Sequence, residues 1–160
     1  MRTQRGSTFI EIIVVIVVFS TLFGIITVNL LTSRAKVSLQ GALSTFLSDV
    51  QEQQVRAISF DAQGAAYATD YGVYFTQGSY TLFKGSSYSV SDPDNFVVTL
   101  DEGVEFSSIT VPSSIVVFSR QSGEVTNFDP SQRSVTIKNT QNNEQKTIQI
   151  NRYGVITSVN

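Results

Sequence analysis

From Phe9 to Leu31 the chain reads FIEIIVVIVVFSTLFGIITVNLL, an almost unbroken apolar run whose only ionisable residue is Glu11. Roughly 20 apolar residues suffice to cross the hydrocarbon core of a bilayer. Ile and Val are poor helix formers in water. In lipid, however, a lone span must pair every backbone group within itself, so it is helical. Past the run, apolar residues recur at three- and four-residue steps: Ala35, Leu39, Ala42, Leu43, Phe46, Leu47, Val50, Ala57 and Ile58. That is one stripe of an amphipathic helix. Gln40, Ser44, Asp49, Glu52 and Arg56 occupy its other faces. No Pro falls between residues 7 and 60. The pattern predicts a single helix reaching about 80 Å at 1.5 Å per residue, with Gly24 and Gly41 as its weak points.

After Ile58 the period shortens to that of strands separated by turn residues. The candidates are Tyr71–Phe75, Tyr80–Lys84, Phe96–Leu100, Val104–Val111, Ser114–Ser119, Ser134–Asn139, Lys146–Asn151 and Val155–Val159. Asp101-Glu102-Gly103, Gln121-Ser122-Gly123 and the Asn/Gln cluster at 139–145 read as turns. Alternation at Val135/Ile137 and Ile148/Ile150 predicts half-buried antiparallel strands. Tyr67, Tyr71, Tyr74, Tyr80, Phe83 and Phe118 are expected in the core. The expected fold is α+β, with a long N-terminal helix packed against a C-terminal antiparallel β-rich head. Four segments follow: a leader (1–6), an apolar half-helix (7–31), an amphipathic half-helix (32–60) and the head (61–160).

Composition sharpens this picture. Hydrophobic residues make up 41% of the 160 residues and charged residues only 15%, against about 25% charged in an ordinary soluble domain. The apolar run is the local cause. There is no Cys and no His, which removes disulfides, thiolate metal sites and the commonest general base. Ser113 and Ser114 therefore lack an imidazole partner, and no Gly-rich phosphate loop follows a strand. Neither catalysis nor a cofactor is expected. A net charge of −2 is too balanced to announce nucleic acid.

Glu11 does not veto insertion. A carboxylate at mid-bilayer costs about 2.5–3.5 kcal/mol on an insertion scale. Each Phe, Ile, Val or Leu returns roughly 0.3–0.6 kcal/mol near the centre, and the run holds 17 of them. Glu11 also lies near one end, where the penalty is smaller. Arg2 and Arg5 hold the leader in the cytoplasm by the positive-inside bias, placing residues from 32 onward outside; Arg34 and Lys36 oppose it at the far end. A core helix of a soluble protein would be shorter. A secretory signal would have an apolar core of about 7–15 residues followed by a small-residue cleavage site, and none follows here.

The leader is short and basic, and it ends in Gly6 directly before the run. Cleavage after Gly6 makes Ser7 the new terminus and Glu11 the fifth mature residue. Residues 7 and 11 are one helical turn apart on one face. An amine and a carboxylate at a membrane face are each costly alone and tolerable as a pair. If the amine belongs to a neighbouring subunit, the pair fixes the axial register between helices.

This N-terminal pattern, RGSTFIEIIVVIVVF, resembles the processing motif of type IV pilins and type II secretion pseudopilins. The matching features are Gly6, Glu11 and the apolar stretch through Leu31. The resemblance implies a prepilin peptidase that cuts after Gly6 and N-methylates Ser7. It further implies residence in bacterial inner-membrane lipid before assembly, with the head extracytoplasmic. Assembly with other pilin or pseudopilin subunits then follows through the N-terminal helix, with Phe9, Ile10 and Glu11 in the contact. Ser7 departs from the usual Phe or Met, which bears on methylation. Residue 28 is Val rather than the helix-kinking Pro of many major pilins, and without Cys their disulfide-bounded loop cannot form. Both absences point to a minor pilin or pseudopilin. The order YGVYF, YTLFK, IVVFSRQSGEV and KTIQINRYGVI is similar to minor, H-type pseudopilins, whose long helix carries a head of two small sheets.

Two further groupings of charged residues stand out. Asp92, Asp94, Asp101 and Glu102 form the densest acidic region, and some G-type pseudopilins hold calcium in a head loop. No EF-hand pattern is present here, so solvated turn acids are the better reading and no metal is expected. Arg120, Arg133, Lys138, Lys146 and Arg152 would have to cluster to bind phosphate, as in minor pilins that take up DNA. Ordinary surface charge is the better account of them. The rival to a filament subunit is a single-pass, membrane-anchored extracytoplasmic binding module that keeps its leader and does not polymerise.

Overall fold

A computed structural model describes residues 9–59 and 69–159, without the side chains of 25–37 and 158–159. Tyr67 and the leader lie outside the described residues. Among the described residues helix α1 (Phe9–Ile58) is followed by eight strands and one 3-10 turn. The chain divides into two units, Met1–Arg34 and Ala35–Asn160, and α1 contributes to both.

In the first unit every described side chain of α1, residues 9–24, is exposed. Among the described residues no helix is long and apolar enough to cross a membrane. The described side chains stop at 24, so the span expected over Phe9–Leu31 lies partly outside them.

In the second unit the expected stripe is the buried face of α1. Leu39, Ala42, Leu43, Phe46, Val50 and Ala57 are buried, and Leu47 packs partly against them. Ile58 is a correction to the stripe, being 44% exposed. Gln53 continues the buried face between Val50 and Ala57 although it is polar. The helix ends where the head supplies partners. The Ser59 amide makes the last i→i−4 bond, to Val55 O, and the Gln121 amide donates to Ala57 O at 2.9 Å. This satisfies a carbonyl that the helix end would otherwise leave unpaired. Arg56 pairs with Glu52 one turn back, a cation favoured near a helix C-terminus.

Strands β1 (Tyr71–Phe75), β2 (Ser79–Lys84), β3 (Phe96–Thr99) and β5 (Ile115–Phe118) form one antiparallel sheet in the order β3-β2-β1-β5. Strands β4 (Val104–Thr110), β6 (Ser134–Asn139), β7 (Gln145–Ile150) and β8 (Ile156–Val159) form the second, in the order β4-β6-β7-β8. In the second sheet Val135, Ile137, Ile148 and Ile150 point inward at 0–3% exposure, as period-two alternation requires. The first sheet is buried on both faces along β1 and β2. Tyr80 faces α1, while the ring of Tyr88 stacks on Tyr74 and meets Phe83 edge-on across the other face. Tyr71, Tyr80, Phe83 and Phe118 are buried, whereas Tyr74 is only partly covered, by Tyr88.

Several strand ends differ from the sequence reading by one residue. β4 stops at Thr110, because Pro112 cannot donate to a ladder, and its pairing with β6 shifts around Ser107. Ser114 belongs to the turn before β5, where Ser113 and Ser114 both adopt positive φ. Asn139 ends β6 as expected and is buried, and its Oδ1 accepts the Gln141 amide at 2.8 Å to start the turn.

Candidate processing and assembly site

Gly6 and Ser7, the residues flanking the expected cut, lie outside the described residues. The described part of the motif begins in the first turn of α1. Phe9 and Ile10 are 79% and 70% exposed, and Glu11 is exposed beside them. Ile12 through Phe19 present Ile, Val and Phe on every side of the helix. A helix that is apolar all round is a buried one, in a membrane or among other helices. The described side chains of residues 9–24 are all exposed. Thr21 is accommodated by donating its hydroxyl to Val18 O at 2.8 Å, which leaves little polar surface on that turn. Among the described residues Glu11 pairs with no cation; the ion pairs there are Arg56–Glu52 and Arg152–Glu124.

Among the described residues the acidic grouping of the head sits in turns. Asp92 Oδ1 accepts the Asp94 amide and Asp101 O accepts the Val104 amide, both within turns. Among the described residues no group of three or more carboxylates is placed to hold a metal ion. The basic residues are dispersed as well. Lys146 pairs in register with Ile137 and Lys138 with Gln145, so the two lysines fall on opposite faces of the sheet. Arg152 lies 3.7 Å from Glu124.

The structure brings together a polar group on α1 that periodicity alone does not reveal. Asp49 lies on a face the sequence assigns to solvent, yet it accepts the Tyr80 hydroxyl at 2.5 Å. Burial, reinforced by the Asp49 carboxylate, pushes the Tyr80 phenol well above its ordinary range. Gln54 donates to Gly123 O at 3.0 Å and to Tyr153 O at 2.7 Å, tying two loops to the helix. Among the described residues Gln53 Oε1 is buried without a donor. The only sequence signal for these was a polar residue at or beside a stripe position.

A family model described as the prokaryotic N-terminal methylation motif matches residues 1–27. The chain therefore carries the signal of type IV pilins and pseudopilins. No curated protein and no solved structure matches the chain.

Proposed function

We propose that this chain, a pilin- or pseudopilin-type protein by its N-terminal motif, is a minor structural subunit of a type IV pilus, competence pilus or type II secretion pseudopilus. Proteins bearing this motif are structural subunits rather than enzymes. The motif implies anchoring in the inner membrane, processing by prepilin peptidase, and assembly with other pilins.

In this reading the peptidase removes residues 1–6 and exposes Ser7. The apolar half of α1 rests in lipid and then exchanges lipid for the helices of neighbouring subunits. Glu11 meets the terminal amine of an adjacent subunit, and the pair sets the register. Phe9 and Ile10 pack against the neighbour beside it. The observation that carries the proposal is the exposed, all-round apolar surface of residues 9–24 with one carboxylate in its first turn, inside the matched motif.

Two variants test it. Replacing Gly6 by a bulky residue should leave residues 1–6 attached, read by intact mass of the membrane protein; a processed mass in that variant sinks the cleavage assignment. Glu11→Ala should insert normally and enter filaments poorly, and undiminished incorporation sinks the register argument. A native protein that still begins at Met1 would favour the anchored, non-polymerising module.

A further inference from the structure

We propose that the outer edge of β3 is a docking site for an extended strand of a partner protein, one with apolar side chains at alternate positions and lysine or arginine at both ends. This goes beyond subunit assembly through the N-terminal helix and does not depend on it.

The hydrogen-bond phase of the first sheet fixes which groups are available. The Leu100 amide donates to Gly78 O at 3.0 Å, directly opposite it in the register that pairs Ser79 with Thr99. Hydrogen-bonded pairs alternate along an antiparallel ladder. Phe96 and Val98 therefore turn their backbone groups toward β2, and Val97 and Thr99 turn theirs away. Both of the latter residues are exposed.

The opposite edge of the same sheet is closed by the chain itself. The Thr126 amide donates to Val117 O at 2.9 Å, and Asn127 Nδ2 donates to Ile115 O at 2.7 Å. At the β4 edge of the second sheet the Phe106 amide donates to Gln77 O, and the irregularity at Ser107 breaks the ladder. Such covers, along with charge and Pro, are the usual protection of sheet edges. Among the described residues β3 has no such cover, and its sequence, FVVT, holds neither charge nor Pro, with Phe96 64% and Val97 59% exposed. A bare, apolar, β-branched edge invites strand addition.

The surroundings specify the occupant. On the helix side of β3 lies a cleft of ≈ 330 Å³ lined by Asp49, Glu52, Gln53, Arg56, Lys84 and Phe96. Gln53 is among the lining residues, and among the described residues its Oε1 is buried without a donor. Acids flank the edge at both ends, Asp92 and Asp94 before β3 and Asp101 and Glu102 after it. Among the described residues that line the cleft the cations are Arg56, already paired with Glu52, and Lys84. The same acids disfavour a second copy. A second copy would bring its own acidic flanks against these, and like charges brought close together are destabilising. The partner is therefore a different chain with cationic flanks.

The test uses the full chain in detergent micelles and synthetic peptides of alternating valine and threonine, ended by lysine or by glutamate. Fluorescence anisotropy of labelled peptide reads affinity, and hydrogen exchange reads the location. The lysine-ended peptide should bind and protect the amides of β3, with the glutamate-ended peptide at least tenfold weaker. N-methylation of alternate peptide amides should weaken binding at least tenfold without touching the protein. Val97→Pro removes an outward amide at an edge position where Pro is tolerated and should do the same. Asp94→Lys with Glu102→Lys should reverse the peptide preference. No binding by the lysine-ended peptide, equal binding of the two, or full binding after N-methylation would overturn the proposal. So would concentration-dependent protection of β3 without peptide, which would assign the edge to a second copy.

Discussion

Phe46→Ala probes the joint on which the head depends. Phe46 comes from α1, Phe75 and Tyr80 from the first sheet, and Phe106 from the second. The Phe46 ring is fully buried and meets the other three edge-on at centroid distances of 5.8, 5.3 and 5.7 Å. Truncating a buried Phe to Ala costs about 3–5 kcal/mol, more where the surroundings cannot collapse. Here the three neighbours are held by strands, and each edge-to-face pair is worth roughly 0.5–1.5 kcal/mol beyond its area. The upper half of the range applies, about 4–5 kcal/mol. For a unit the size of Ala35–Asn160 that corresponds to a fall in Tm of about 10–20 °C. Near-ultraviolet circular dichroism of the full chain in micelles, followed through thermal unfolding, reads the packing of these rings directly. Phe46→Leu keeps most of the volume and should cost under about 1.5 kcal/mol. A loss below about 1 kcal/mol for the alanine variant would refute the claim that α1 forms the common wall of both sheets. Equal losses for the two variants would refute the cavity argument.

Other perturbations address single contacts. The phenol of Tyr80 has a raised pKa in the folded state, so the folded chain holds a proton that the unfolded chain releases above about pH 10. Stability should therefore fall as pH rises past that point, and Tyr80→Phe should flatten the decline when unfolding is measured on both sides of it. Gly72→Ala would place a Cβ 2.3 Å from the Phe83 ring and 2.8 Å from Val116 O. Overpacking of this kind costs about 1–3 kcal/mol, which denaturant titration would register as a lower midpoint with an unchanged slope. Gln54→Ala removes the donor shared by Gly123 O and Tyr153 O and should cost about 1–2 kcal/mol. Amide exchange should rise selectively in the loops around residues 121–124 and 151–155, and a uniform rise would count against a local role.

The amino-acid pattern by itself settled the elements and the signal. Gly6, Glu11 and the run through Leu31 carry their meaning in spacing along the chain, so no folded context is needed to read them. Leu39, Phe46 and Val50 declare a buried helix face because helical period is a local property, and the eight strands follow from short runs between turn residues for the same reason. What needed the tertiary structure were relations between residues distant in sequence. Asp49 and Tyr80 are each ordinary until the first sheet is laid on α1, when one becomes the acceptor of the other. Gln53 and Gln54 look like solvent positions, yet one is buried in the stripe and the other bridges two loops. The openness of the β3 edge depends on which strand lies beside it and on the phase of its hydrogen bonds. Strand pairing is set by the whole chain, and no run of four residues encodes it.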